Sequence, residues 1–331
     1  MTACRQPLQL CILLLLVWSP PGADRAFAEE DRPPFHPFEI HYAFANIEFT
    51  LLHEMAHALI AELGIPLLGR EEDAADQMAA MLLRAAPSDG SRVSIVGKLN
   101  AVGLELRLEA SEDSIAYWDS HPPAVQRFYN LLCLAYGMNP AALSDYLGTG
   151  WLPWDRGWYC GEEYQQAERA MLWVYQNYGN QGGREPQAPG RGARRGSIAV
   201  EYEIPASPGA TRLVEAMLHA EIAEQLARQL EKTFELPRDL VISFVNCGDD
   251  AYWHATSGAI VVCYRLLEQY LEHAMPARSM DKLLPARIAP MEVVIPSRIY
   301  DALKTNAAEK QISLNDLAVE ALMKYLEVPP R

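Results

Sequence analysis

An α+β fold is what the sequence predicts: helices packed against a small antiparallel sheet, with a small strand-helix-helix module at the C-terminus. Three observations lead there. Helical periodicity marks the segment after residue 42, where Phe49, Leu52, Ala56 and Leu59-Ile60 recur at helical spacing. Short strand-like segments, Ile198 to Ile204, Leu240 to Val245 and Ala259 to Cys263, gather in the second half. Runs rich in Gly and Pro punctuate the chain between these segments. Of the 331 residues, 50% are hydrophobic and 21% charged, the balance of a folded chain with room for two or three domains.

The formal net charge is −15, from 28 Lys plus Arg against 43 Asp plus Glu. A chain this acidic does not hold nucleic acid or anionic membrane by bulk electrostatics. Arg5 precedes the apolar run Leu10 to Trp18, which is too short to cross a bilayer, where about 20 residues are needed. Ala26-Phe27-Ala28 follows as a small-x-small cleavage site. Residues 1–28 therefore read as a signal peptide, and the mature protein is expected to be secreted or periplasmic, without a stable membrane span. In an oxidising compartment, sequence-local pairing of the remaining cysteines gives Cys133–Cys160 and Cys247–Cys263.

Residues 29–179 form the first block. Its lead-in, 29–38, is charged and Pro-rich and is expected to be irregular. A helix from about Ala43 to Leu63 stops at Gly64-Ile65-Pro66, since Gly suits a C-cap and Pro cannot continue a helix. A second helix starts near Gly69, with an acidic first turn that complements the helix dipole. Val102, Leu104, Leu106 and Leu108 alternate with Gly103, Glu105 and Arg107, which predicts a strand that Arg92 to Leu99 could pair with. Residues 124–146 and 162–178 read as helices around an aromatic loop. Residues 180–197, rich in Gly, Pro and Arg, read as a linker or mobile loop. A second block, 198–275, holds a strand, a long amphipathic helix at 210–233, two strands flanking a turn-rich stretch, and a helix from Tyr264. Residues 276–331 comprise a connector and the C-terminal module.

The strongest chemical signal is His53-Glu54-Met55-Ala56-His57. Two histidines at i and i+4 of a helix project from one face and can share a tetrahedral zinc ion at about 2.0–2.1 Å. Glu54 borders the open coordination position, where it can take a proton from water and pass it to a leaving amine. A catalytic zinc usually has three protein ligands, so a carboxylate on the following helix is needed. Glu72 is the expected third ligand, with Glu71 and Asp76 as fallbacks. Asp76, at i+4 from Glu72, is expected to accept the spare N–H of His53 and fix its tautomer. Glu71 and Asp73 are expected to face elsewhere as solvated charges.

The run HEMAHALIAELGIPLLGREEDAADQMAAMLL resembles the gluzincin-type zinc metallopeptidases. More narrowly, it resembles a family of secreted bacterial metallopeptidases, whose zinc helix is followed by a Leu-Gly-Arg-Glu-Glu-Asp-x-Ala-Asp segment, matched here by Leu68 to Asp76. The likeness continues through His121, Arg127 to Asn130, Cys133, Tyr136-Gly137 and Cys160. It implies a zincin-like core with an active helix and a Glu-bearing ligand helix, Glu54 as general base, and His53, His57 and Glu72 on zinc. Residues 201–268 resemble the segment that precedes the zinc helix in that family; here they follow it, so the order reads as permuted.

His121, Arg127 and Tyr129 are candidates to donate to an oxyanion, with loop capping and packing as the alternative. Trp151, Trp154 and Trp158 could line a substrate cleft or pack around a disulfide. The C-terminal module resembles a ribbon-helix-helix unit, a fold that dimerises through its strand and commonly reads DNA. Its outward strand positions Pro290, Glu292 and Val294 carry no cation or amide side chain. No nucleic-acid partner is expected; a dimerisation or docking module, which could form a homodimer through residues 291–327, is the better expectation, with an independent helical hairpin as the alternative. The functional expectation is a secreted zinc metallopeptidase acting on a peptide or protein. Its rivals are a zinc-binding but catalytically incomplete pseudo-peptidase and a dimeric DNA-binding regulator using residues 287–327.

Overall fold

The computed structural model describes residues 35–85, 94–110, 118–180 and 195–282. The signal segment 1–28, most of the 180–197 linker and the module at 291–327 lie outside the described residues.

One helix organises everything else. α1 spans Pro37–Leu63, earlier than the irregular lead-in predicted, because His36 forms a capping box with Glu39 and Pro37 sits at the first helical position. It ends at Gly64, whose φ of 63° is left-handed, as the Gly-Ile-Pro signal predicts. From Tyr42 to Ile60 almost every side chain is buried. A helix apolar on all sides must be enclosed on all sides. α1 accordingly packs against α2 (Glu71–Ala85), α3 (Ile95–Glu109) and, from the second block, α8 (Ile222–Thr233), α9 (Tyr264–Lys282), β3 (Ala251–His254) and β4 (Ala259–Cys263).

The predicted strand at 102–108 is instead part of α3. Val96, Leu99, Val102 and Leu106 also follow a helical period and enter the main core, while Leu104 is buried in a second cluster with Tyr42 and the end of α9. A helix buried on two faces imitates alternation, and Val102 is the one β-branched residue of the segment, where a strand would favour several. α4 (Ala124–Met138), a 3₁₀ segment Pro140–Tyr146, the short α5 (Trp154–Gly157) and α6 (Cys160–Tyr178) complete the first block. Cys133 and Cys160 lie at disulfide distance and link α4 to α6.

After β1 (Ile198–Tyr202), the single helix expected at 210–233 is two, α7 (Pro208–Ala220) and α8, broken at Glu221, whose φ is 49°. β2 (Leu240–Val245) then lies between β1 and β4. The sheet is not the antiparallel one expected. Its order is β1-β2-β4-β3, with β1–β2 and β2–β4 parallel and only β3–β4 antiparallel. The α7–α8 crossover is long enough to return the chain for a parallel pairing. The turn-rich stretch before Ala259 hides the edge strand β3. Cys247 and Cys263 lie at disulfide distance beside it. α9 continues through Pro276, where a connector was expected.

The fold class is α+β: helices dominate and a small sheet backs them. Both blocks contribute to one hydrophobic core, from Ala43 to Val174 and from Ile198 to Tyr270. Arg238 joins them, its Nη2 2.5 Å from Glu62 Oε1 of α1 and also bonded to the Ala255 carbonyl in the β3–β4 turn.

Candidate metal centre and cleft

α1 presents His53 and His57 on one face, with their Nε2 atoms 3.2 Å apart. α2 begins immediately after the Gly64–Arg70 loop, so its first turn lies against that face. Glu72 Oε2 sits 3.2 Å from His53 Nε2 and 3.4 Å from His57 Nε2. Donors held by a tetrahedral ion at about 2.0–2.1 Å are about 3.3 Å from one another. The three separations match that triangle. Glu72 Oε2 is also a buried oxygen with no hydrogen-bond partner. An orphan acceptor of this kind is costly unless something else meets it. Two imidazoles and a carboxylate, with ligand atoms within 4.8 Å of one another, fit a divalent metal ion.

The neighbours hold these groups in place. Asp76 Oδ1 lies 2.9 Å from His53 Nδ1, at ion-pair distance though not aligned as a hydrogen bond. Arg127 grips both oxygens of Asp76, through Nε at 2.9 Å and Nη2 at 2.8 Å. Glu71 Oε1 is 2.8 Å from His57 Nδ1. That corrects the expectation that Glu71 faces elsewhere: because α2 starts at Glu71, both acids of its first turn meet the histidines. His121 Nε2 reaches Glu72 Oε1 at 3.3 Å, while the Asp119 carboxylate accepts the His121 main-chain N–H at 2.9 Å. Tyr129 is not in the site; its hydroxyl donates to the Gly150 carbonyl at 3.1 Å. Trp151 packs edge-on against Phe128 and Tyr146, and Trp154 and Trp158 are partly exposed, so none of the three borders the cluster.

Burial raises the Glu54 carboxyl above the ordinary carboxylate range, although it accepts the main-chain N–H of Trp253 and lies near both histidines. For His57 burial alone would lower the pKa, but the Glu72 and Glu71 carboxylates beside it outweigh that and raise the value to about 9. Burial likewise opposes ionisation of Glu72, yet the two imidazoles set against it hold it well below the usual range. Asp76 is held at about 2, because the Arg127 guanidinium outweighs the burial penalty. The cluster is thus a carboxylate surrounded by proton-retaining imidazoles, a charge pattern in which a dication competes with protons for the same nitrogens.

A cleft of about 200 Å³ opens from His53 and Glu54 and runs back along α1 to Asn46. Sequence reasoning missed most of its walls. Glu105 sits on a segment read as a strand, Glu109 follows directly after it, and Asp250 lies in the turn-rich stretch that contains β3. The only available signal for the first two was their i, i+4 spacing on one helix face. No described helix is long and apolar enough to cross a membrane.

No curated protein and no solved structure matches the chain. The DUF4344 family, described as "Putative metallopeptidase", matches residues 8–174 and 202–295, a span that takes in both the α1–α2 pair carrying the histidine–glutamate cluster and the strands β2, β3 and β4, and the chain belongs to that family.

Proposed function

We propose that the protein is a secreted zinc metallopeptidase in which His53, His57 and Glu72 hold the ion and Glu54 is the general base. The observation that carries this reading is the triangle of donor atoms at 3.2–3.4 Å, with Glu72 Oε2 buried and lacking a hydrogen bond. Two imidazoles and one carboxylate are the donor set of a catalytic rather than a structural zinc site, leaving a position open. Zinc held there would supply Lewis-acid polarisation of the scissile carbonyl and a lowered pKa for water.

The chain's own groups do the rest. Glu54, buried beside the histidines, is made more basic by that burial, which suits it to take the proton of an attacking water and deliver it to the leaving amine. Asp76 and Glu71 hold the spare ring nitrogens of His53 and His57 and so fix which nitrogens face the cluster. His121, steadied by Asp119, stands at the mouth where it can donate to an oxyanion. The Trp253 main chain of the second block meets Glu54 of the first, which supports reading the permuted order as one working unit. The two cysteine pairs at disulfide distance support an oxidising, extracytoplasmic location.

Metal analysis of the purified protein tests the ligand set: the wild type should retain zinc in equimolar amount, and His57→Ala and Glu72→Ala should lose it. Glu54→Gln should keep the zinc while hydrolysis of a peptide substrate falls by about 10³-fold or more. Equal inertness of wild type and Glu54→Gln would leave a zinc-binding pseudo-peptidase in its place.

A further inference from the structure

The two cysteine pairs at disulfide distance are unequally open to solvent. Cys133 and Cys160 are both 0% exposed, enclosed where α4 meets α6. Cys263 is 2% exposed, but its partner Cys247 is exposed. Thiol–disulfide exchange needs an attacking thiolate to reach a sulfur, and exposed bridges are the labile ones. Of these two pairs, only Cys247–Cys263 offers that approach.

This bridge also closes a ring that borders the cleft. Its sequence separation is 16, and the ring holds all of β3 and the turn that leads to β4. One end of the bridge is fixed. Cys263 closes β4, which lies between β2 and β3, and stands opposite Val245. The other end sits in the exposed run 246–250. Asn246 is tied down at the start of that run: its main-chain N–H donates to Glu203, its side-chain NH₂ donates to the Ile204 carbonyl, and its amide oxygen accepts from the Ala206 N–H. At the far end the Asp250 carbonyl accepts the Cys263 N–H at 3.0 Å. Between these points the run is held by the bridge, by a long bond from Gln269 Nε2 to Asp249 Oδ2 at 3.4 Å, and by the charge of Arg265 near Asp249.

β3 depends on such support. It has four residues, lies at the sheet edge, pairs with β4 alone and rests on α1. A short hairpin is marginal by its own hydrogen bonds. Its turn is anchored by Arg238 on the Ala255 and Thr256 carbonyls, and its open end is closed by Cys247–Cys263. Asp250 and Ala251, at that open end, line the cleft, and the Trp253 N–H meets Glu54.

We propose that the Cys247–Cys263 bridge is a thiol-operated catch on the cleft. Closed, it holds β3 against Glu54. Opened by a small thiol such as glutathione, it releases β3, and hydrolysis falls. The metal ligands stay in place, because His53, His57 and Glu72 lie on α1 and α2, outside the ring. The proposal rests on reading their cluster as a peptidase centre. One thiolate attacks the Cys247 sulfur, forms a mixed disulfide there and expels the Cys263 thiolate. A second thiolate attacks the sulfur that the first thiol contributed, and Cys247 leaves as its thiolate. Two small thiols are oxidised to one small disulfide, the cystine takes up their two electrons, and the cysteines take up the two protons.

The test uses the full chain loaded with zinc, at fixed free zinc, equilibrated with mixtures of reduced and oxidised glutathione. Iodoacetamide trapping and mass spectrometry should place label on Cys247 and Cys263 at ratios where Cys133 and Cys160 carry none. At those ratios kcat for a peptide should fall by about tenfold or more, zinc should stay equimolar, and reoxidation should restore the rate. Amide exchange at Trp253 should quicken in step with the label, a readout that needs no catalysis. Cys247→Ser combined with Cys263→Ala should match the opened wild type and ignore glutathione; if that variant does not fold, the wild-type titration decides alone. Label and faster exchange in a protein that cleaves nothing in either state would uphold the catch and sink the peptidase reading. Full hydrolysis with the bridge open, unchanged exchange at Trp253, loss of zinc on opening, or both pairs opening together would overturn the proposal.

Discussion

Two sets of buried charges lie on α1 about two turns apart, and they are finished differently. Toward the N-terminal half, Glu48 meets Lys98 of α3 at 2.6 Å, both nearly buried, and Tyr42 closes on Glu105. Each charged group there has an opposite or donating partner. Toward the C-terminal half, His53, His57 and Glu72 converge until Glu72 Oε2 is enclosed by nitrogens and still lacks a hydrogen bond. The first set is complete from the chain's own atoms. The second leaves the Glu72 Oε2 atom without a hydrogen bond from the chain's own atoms. Burial of charge alone therefore does not mark a site; burial with an unmet donor or acceptor does.

The largest effect that would break this comparison is at the closed pair. Lys98→Met removes a cation and leaves Glu48 ionisable and buried. Such a loss typically costs about 3–5 kcal/mol, because it strands a buried charge from its ion-pair partner. A urea titration should show that destabilisation, while zinc stoichiometry stays that of the wild type. Restoring apolar packing with Glu48→Leu in the same chain should recover most of the loss. If Lys98→Met instead stripped the metal at little cost in stability, the two sets would be one network and the contrast would fail.

The unequal legibility of the two sets in the sequence has the same origin. His53, Glu54 and His57 are visible because their relation is local: five consecutive residues on one helix, bounded by Gly64 and Pro66. Glu72 is nearly as visible, because the connecting loop is short enough to set α2 against the same face. The partners that finish the site are not local. Arg127 comes from α4 to Asp76, and Trp253 comes from β3 to Glu54. Strand direction was illegible for a related reason. Spacing along one strand says which residues are buried, but parallel and antiparallel partners are chosen by distant segments. α3 misled outright, since burial on two faces gave Val102 to Leu108 the look of alternation.

A smaller effect sharpens the comparison from the metal side. Arg127 touches no ligand, but it fixes the Asp76 carboxylate that stands 2.9 Å from His53 Nδ1. Partners of metal-ligating histidines typically contribute 10- to 100-fold in affinity. Competition with a chromophoric chelator should show a loss of that size for Asp76→Asn. Arg127→Lys should fall short of it, because an ammonium cannot grip both oxygens as the planar fork does. Glu71→Gln should weaken zinc less than Asp76→Asn, since the Glu71 side chain is half exposed and water can take its place at His57. Equal losses at Glu71 and Asp76 would show that burial of the supporting carboxylate is not what decides its strength.

The smallest expected effect lies where the two blocks are joined. Gly258 holds a φ of +70°, and a Cβ placed there would come 3.3 Å from Arg238 Cζ and from the Asp239 carbonyl oxygen. Arg238 in turn links Glu62 of α1 to the Ala255 and Thr256 carbonyls of the β3–β4 turn. Gly258→Ala therefore meets two penalties at once, a left-handed backbone that costs about 1–2 kcal/mol for an L-residue and crowding of the guanidinium. Thermal unfolding should register a loss of that order. Zinc affinity should not change, because the proposed ligands all lie on α1 and α2, whereas a Cβ at Gly258 meets only Arg238 and Asp239. Hydrolysis, by contrast, should fall by more than the stability loss explains, since the turn that Arg238 anchors follows directly from the strand whose Trp253 N–H meets Glu54. A variant that lost stability and kept full activity would show that β3 holds its place against Glu54 without the Arg238 anchor.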